Sequence, residues 1–172
     1  MSTGKHCEIE RKYLIGYPDV EMLKVQPGCE VWDITQIYLK DGDGGQTRRI
    51  RRVVTGGEEK FYRTFKLRLS ALSALEDEGE ITAEAYAAYS AERDPSRNPI
   101  LKTRYRVPHA GHVLEFDVYP FWTDRAIMEI ELEREDEGAA LPDYVHVIRD
   151  VSADPAYKNK QLAKRIPMED IG

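Results

Sequence analysis

The placement of charge constrains this chain more than any other feature. Short β-rich segments alternate charged with apolar residues, and the charges recur two positions apart on segment after segment. Glu8-Ile9-Glu10-Arg11-Lys12 puts Glu8, Glu10 and Lys12 on one face of a strand, because side chains alternate sides along it. Arg49-Ile50-Arg51 repeats the pattern with bases, as do Lys66-Leu67-Arg68 and Lys102-Thr103-Arg104. Glu115-Phe116-Asp117 and Glu129-Ile130-Glu131 repeat it with acids, and Glu78-Gly79-Glu80 adds a further acidic pair beside a helix start. For one pair, a solvated sheet face crossed by ion pairs is the simpler account. For the whole set it is not. If the strands close into a barrel, one face of every strand points inward. A lumen of mixed charge is costly unless something fills it. A polyanion with divalent cations fills it well: bases take phosphate oxygens, and carboxylates coordinate hard metal ions. The pattern thus predicts a metal–phosphate site.

Turn signals cut the chain into strands over residues 7–15, 31–40, 47–55, 59–69, 100–107, 112–119, 126–133 and 145–151. Gly56-Gly57 reads as a hairpin turn, and Pro108-His109-Ala110-Gly111 as a second. Gly16-Tyr17-Pro18-Asp19 leaves room for one helical turn through Met22-Leu23. One helix is expected from Thr82, an N-cap, until Pro95 stops it, and another over residues 158–164. Many short strands with hairpin spacing argue for an antiparallel barrel or sandwich carrying a few helices.

With 172 residues and no linker, the chain reads as a single domain over 1–172. Lys and Arg number 25 against 31 Asp and Glu, a net charge of −6, which excludes a globally basic nucleic-acid surface but not a local basic cavity. Cys7 and Cys29 lack metal-motif spacing and fit two free thiols. Residues 1–12 are polar, and no apolar run is long enough to span a bilayer. A cytoplasmic protein with no membrane partner is expected.

The same motifs resemble, in chain order, those of the CYTH family, the triphosphate tunnel metalloenzymes. Glu8-Ile9-Glu10-Arg11-Lys12 resembles its E-x-E-x-K signature, and Ile34-Thr35-Gln36-Ile37-Tyr38-Leu39 its I-T-Q-G-Y-L strand. Arg49-Ile50-Arg51, Thr64-Phe65-Lys66, Glu78-Gly79-Glu80-Ile81 and Lys102-Thr103-Arg104-Tyr105 match R-x-R, T-x-K, E-x-E-I and K-T-R-Y. Glu115-Phe116-Asp117-Val118 and Glu129-Ile130-Glu131 match the two acidic strands, and residues 154–163 resemble the closing D-x-x-Y-x-N-x-x-L-A segment. Nearly the whole chain is covered. The resemblance implies a mainly β fold, an eight-stranded antiparallel closed barrel with a few peripheral helices, forming a tunnel open at both ends. It implies that this tunnel binds triphosphate with Mg²⁺ or Mn²⁺. Glu8, Glu10, Glu129 and Glu131 would be metal ligands, and Lys12, Arg49, Arg51, Lys66, Lys102 and Arg104 would hold phosphates. Glu78, Glu80, Glu115 and Asp117 would form an acidic wall, and Tyr38 and Lys102 a catalytic pair. Two departures stand out: Ile37 replaces a small residue before Tyr38, and Glu76 stands where the family often has arginine. Residues 70–75 and 91–98 read as surface loops.

Other motifs carry less. His109-Ala110-Gly111-His112 fits a hairpin tip better than a metal site, and Gly42 to Gly45 lacks the lysine-and-hydroxyl ending of a P-loop. Trp32 and Trp122 read as packing residues. Hydrolysis of inorganic triphosphate is the leading function. The alternatives are a class-IV-like adenylate cyclase or an organic triphosphatase (nucleoside or thiamine triphosphate), and a non-catalytic polyphosphate-binding module. The partner is then a triphosphate-containing small molecule rather than nucleic acid, with a homodimer left open.

Overall fold

A computed structural model describes residues 4–172. Its turns set the strand ends. Gly56 and Gly57, at φ 57° and 78°, join β3 (Thr47–Thr55) to β4 (Glu58–Arg68), the left-handed geometry that glycine adopts without strain. Ala110 and Gly111, at φ 49° and 82°, do the same between β6 (Ile100–His109) and β7 (His112–Val118).

With β1 (Gly4–Gly16), β2 (Glu30–Tyr38), β5 (Ser73–Ile81) and β8 (Arg125–Leu132), these strands pair in the order β5-β4-β3-β2-β6-β7-β8-β1, all antiparallel. Pairing of β5 with β1, from Gly4 opposite Glu78 to Ile9 opposite Ser73, closes the eight strands into a barrel. The short β9 (Val147–Asp150) takes the rest of the same β1 edge, from Tyr13 to Ile15. Helices α1 (Val20–Lys24) and α2 (Ala83–Ser90) sit outside this ring, and α3 (Asn159–Leu162) belongs to the C-terminal segment at one of its ends. Thr82 caps α2 as expected, its hydroxyl accepting from the Ala85 amide at 3.0 Å.

One expected loop is a strand. Part of the 70–75 stretch belongs to β5, and Glu78-Gly79-Glu80 lies at its end, directly before the start of α2. Ser-Ala-Leu-Glu-Asp-Glu-Gly-Glu is poor in β-formers, so local preference hides this strand. It forms because β4 and β1 each present an open edge that only one further strand can satisfy.

The apolar core lies outside and below the lumen. One cluster covers an outer face: Met128, Ile130, Phe116 and Leu114 pack under Leu23 of α1. The other fills one end of the barrel, where inward positions turn apolar at Leu14, Ile100 and Ile127 and meet Tyr119, Trp122, Tyr157 and Leu162. The resemblance implies two open ends; here the C-terminal segment packs into one of them, because burying those inward apolar groups is favourable at roughly 25 cal/mol per Å². No helix among the described residues is long and apolar enough to cross a membrane.

Candidate functional site

The inward-facing rows enclose a cavity of about 510 Å³. Strand β1 supplies Glu8, Glu10 and Lys12, β3 supplies Arg49 and Arg51, and β4 supplies Lys66 and Arg68. Across the barrel stand Lys102 and Arg104 of β6, Glu115 of β7, and Glu129 and Glu131 of β8; Tyr38 of β2 and Glu78 of β5 also line the space. Register explains the convergence. Glu10 lies opposite Glu131, Lys12 opposite Glu129, and Glu115 opposite Glu129, so one inward row runs from strand to strand.

Two expected wall residues lie off this surface. Asp117 is fully buried behind the lining, where Lys102 and Arg104 both donate to it at 2.7 Å. Glu80 does not line the cavity and sits 4.0 Å from Lys60.

Most lumen charges are paired. Lys12 is 3.3 Å from Glu129, and Arg104 reaches both Glu115 at 3.3 Å and Glu129 at 3.5 Å. Lys66 lies 2.8 Å from Glu8, and Arg51 lies 3.3 Å from Glu78, which also accepts from the Thr64 hydroxyl at 2.6 Å. Burial pushes Glu129 up, yet Lys12, Arg104 and Lys102 outweigh it and hold the carboxyl well below its ordinary range.

Three of the expected charged site residues have no such partner among the described residues. Burial, then the charges of Glu129 and Glu8, push Glu10 up to about 7. Burial, then Glu8 and Glu115, raise Glu131. Arg49 has a buried Nε with no hydrogen-bond partner, and burial works against its charge, but the surrounding field of Tyr38, Glu76, Glu78 and Glu8 raises its pKa all the same. Lys102 moves the other way. Burial outweighs Asp117 and brings its ammonium down to about 8.

The donor chemistry suits a hard cation. Glu10 and Glu131 face each other across β1 and β8 as unpaired carboxylates, an arrangement of like charges that is unfavourable without a counter-ion. As the side chains stand, no three His, Cys, Asp or Glu among the described residues are gathered closely enough to hold a metal. Glu8 and Glu129 lean instead toward Lys66 and Lys12.

Tyr38 and Lys102 both line the cavity, but no hydrogen bond joins them: the Tyr38 hydroxyl accepts from Gln36 Nε2 at 2.7 Å, while Lys102 holds Asp117. The two departures resolve differently. Ile37 alternates to the opposite face from Gln36 and Tyr38 and is absent from the cavity lining, so it does not narrow the lumen. Glu76 is 3% exposed and lies 3.3 Å from Lys66, adding a carboxylate where a base was expected.

Sequence reasoning missed several lining residues. Trp32, taken for packing, lines the cavity with its indole Nε1 buried and unpartnered; Trp122 does pack, in the apolar plug. Trp32 and Gln36 share the inward face with Tyr38, so the period-two rule carried back from Tyr38 would have found both. Lys158, Asn159 and Lys160 also line the space, brought there by the C-terminal segment. Only tertiary structure reveals them.

No family model matches the chain, and no curated protein matches it. Solved structures do. The inorganic triphosphatase NE1496 is 26% identical over 93% of this chain and 96% of that one, with a TM-score of 0.56. PH1819 from Pyrococcus horikoshii OT3 is 19% identical over 75% and 80% of the two chains, with a TM-score of 0.59. HpAC1 from Hippeastrum, described as having a dominant triphosphatase activity, is 18% identical over 74% and 80%, with a TM-score of 0.52. The last two bear on the fold alone. The chain is thus similar in fold to these neighbours, a closed antiparallel barrel with a charged interior, and this is consistent with the ordered motifs that resemble a triphosphate-tunnel domain of the CYTH type.

Proposed function

We propose that this protein hydrolyses inorganic triphosphate bound inside the barrel. The observation that carries the reading is Arg49: a guanidinium lining the lumen with a buried, unpartnered donor. A structural arginine would be paired, so this one is poised for an anion that arrives from solution. The likeness to the inorganic triphosphatase NE1496 supports a triphosphatase.

Lys12, Arg49, Arg51, Lys66, Lys102 and Arg104 would take the phosphate oxygens and hold the chain extended, which is positioning and electrostatic work. Glu8, Glu10, Glu129 and Glu131 would hold Mg²⁺ or Mn²⁺, which neutralises phosphate charge and makes water more acidic. Because Gln36 donates to the Tyr38 oxygen, the phenolic proton is free to point elsewhere and can be given to a departing phosphate. Lys102, with its pKa drawn down to about 8, can release a proton more readily than an ordinary lysine. Trp32 on the cavity wall favours organic triphosphates as a second reading, since a ring could stack there.

Orthophosphate release from tripolyphosphate tests the reading. The wild type is expected to turn over, and Arg49→Ala to lose about a hundredfold in kcat/KM, the scale of one electrostatic element. Its melting temperature should hold, since no direct partner is lost. A wild type that binds tripolyphosphate without hydrolysing it would make the protein a binding module.

A further inference from the structure

The closed end of the lumen carries a surplus of cations that the motifs do not account for. Lys158 lines the cavity from the C-terminal segment, and among the described residues its ammonium donates only to the Ser152 carbonyl, at 3.2 Å. Ser152 is itself fixed to β1, its hydroxyl accepting from the Lys12 amide at 2.8 Å. Burial, then the nearby charges of Lys12 and Arg68, pull the Lys158 pKa down to about 8; Glu10 opposes this and Lys66 adds to it. Lys12 and Lys66 have carboxylate partners, whereas Lys158 and Arg68 make no ion pair among the described residues. Lys160, two residues on, is occupied by Asp41 at 2.7 Å and Thr47 at 3.2 Å.

Clustered like charges without counter-ions cost free energy in the empty protein and return it when an anion arrives. The terminal phosphate of a linear chain exposes three non-bridging oxygens, where an interior phosphate exposes two. It therefore needs more donors. We propose that Lys158 is a substrate-binding residue that takes the free terminal phosphate of a linear inorganic polyphosphate at the closed end of the lumen. The assignment rests on the proposed function and adds a contact that no recognised motif supplies.

The experiment compares wild type, Lys158→Ala and Lys158→Arg with two probes, linear tripolyphosphate and cyclic trimetaphosphate, which has no terminal phosphate. Titration calorimetry in EDTA reads affinity, and steady-state kinetics with Mg²⁺ separate KM from kcat. Lys158→Ala is expected to weaken tripolyphosphate binding and raise KM by about tenfold to a hundredfold, the worth of one charge-assisted hydrogen bond. Trimetaphosphate affinity should change much less, and Lys158→Arg should keep most of the wild-type affinity. If Lys158→Ala melts earlier but binds tripolyphosphate as tightly as wild type, Lys158 only ties the C-terminal segment to Ser152 and the proposal is overturned. Equal losses for the linear and cyclic probes would also overturn it. A wild type that neither binds nor hydrolyses tripolyphosphate would instead bring down the function on which the proposal rests.

Discussion

Lys102 Nζ lies 2.7 Å from Asp117 Oδ2 with both side chains shut away from solvent, 1% and 0% exposed. Arg104 grips the same carboxylate through Nε at 2.7 Å and Nη2 at 2.9 Å, so one buried anion positions the two bases proposed to take phosphate. Burial pushes Asp117 up, but Arg104 and Lys102 hold it below the usual carboxylate range. Asp117→Asn would leave two buried cations facing each other and is expected to cost about 3–5 kcal/mol in urea unfolding. Tripolyphosphate should raise the melting temperature of this variant more than that of the wild type, because it restores the missing negative charge. A loss below about 1 kcal/mol would show that the pair is solvated.

Glu10 and Glu129 look equivalent in the sequence but sit in opposite fields. Glu129→Gln strips a carboxylate from Lys12 and Arg104 and should destabilise the fold by about 3 kcal/mol near neutral pH. Glu10→Gln should stabilise the metal-free protein. With its pKa raised from 4.5 to about 7, folded Glu10 binds more protons than the unfolded chain across that window, so its contribution to stability falls as pH rises through it. The substitution removes this slope. Melting in EDTA should show little gain at pH 4.5 and a full gain above about pH 7. Equal shifts at both would contradict the electrostatic origin. Both variants should lose roughly a hundredfold in kcat.

Metal removal should silence the protein. EDTA is expected to abolish phosphate release, and Mg²⁺ or Mn²⁺ to restore it. Ca²⁺ should compete yet support little turnover, because its looser coordination holds in-line geometry less well. Full activity in chelated buffer would mean that the carboxylates serve only the lysines beside them.

Much of this architecture was legible because period-two alternation is a backbone property. Glu8, Glu10 and Lys12 must share a face wherever residues 4–16 form a strand, and the barrel turns that face inward. What stayed hidden depends on tertiary context. Strand β5 forms against local preference because two edges need it, and Asp117 retreats behind the lining because Arg104 pulls it there. Lys158 belongs to a segment that reads as a short helix, and only the packing of Tyr157 and Leu162 into the barrel end brings it to the lumen. Glu76 reads as a missing base, but its role as a partner of Lys66 needs the register that sets Lys66 opposite it.

The ratio of kcat/KM for tripolyphosphate to that for ATP decides whether this lumen is built for the inorganic chain. Bases placed around the cavity can satisfy phosphate oxygens along a linear chain, whereas an adenosyl group gains only what Trp32 offers. Competition binding would not separate the two, because uniform phosphate contacts hold both; only contacts made in the transition state enter the ratio. With Mg²⁺ at saturating concentration, tripolyphosphate is expected to be favoured by about a hundredfold or more, with orthophosphate and pyrophosphate as products. A ratio below one, with cyclic AMP and pyrophosphate formed from ATP, would contradict the hydrolase and make the protein a cyclase.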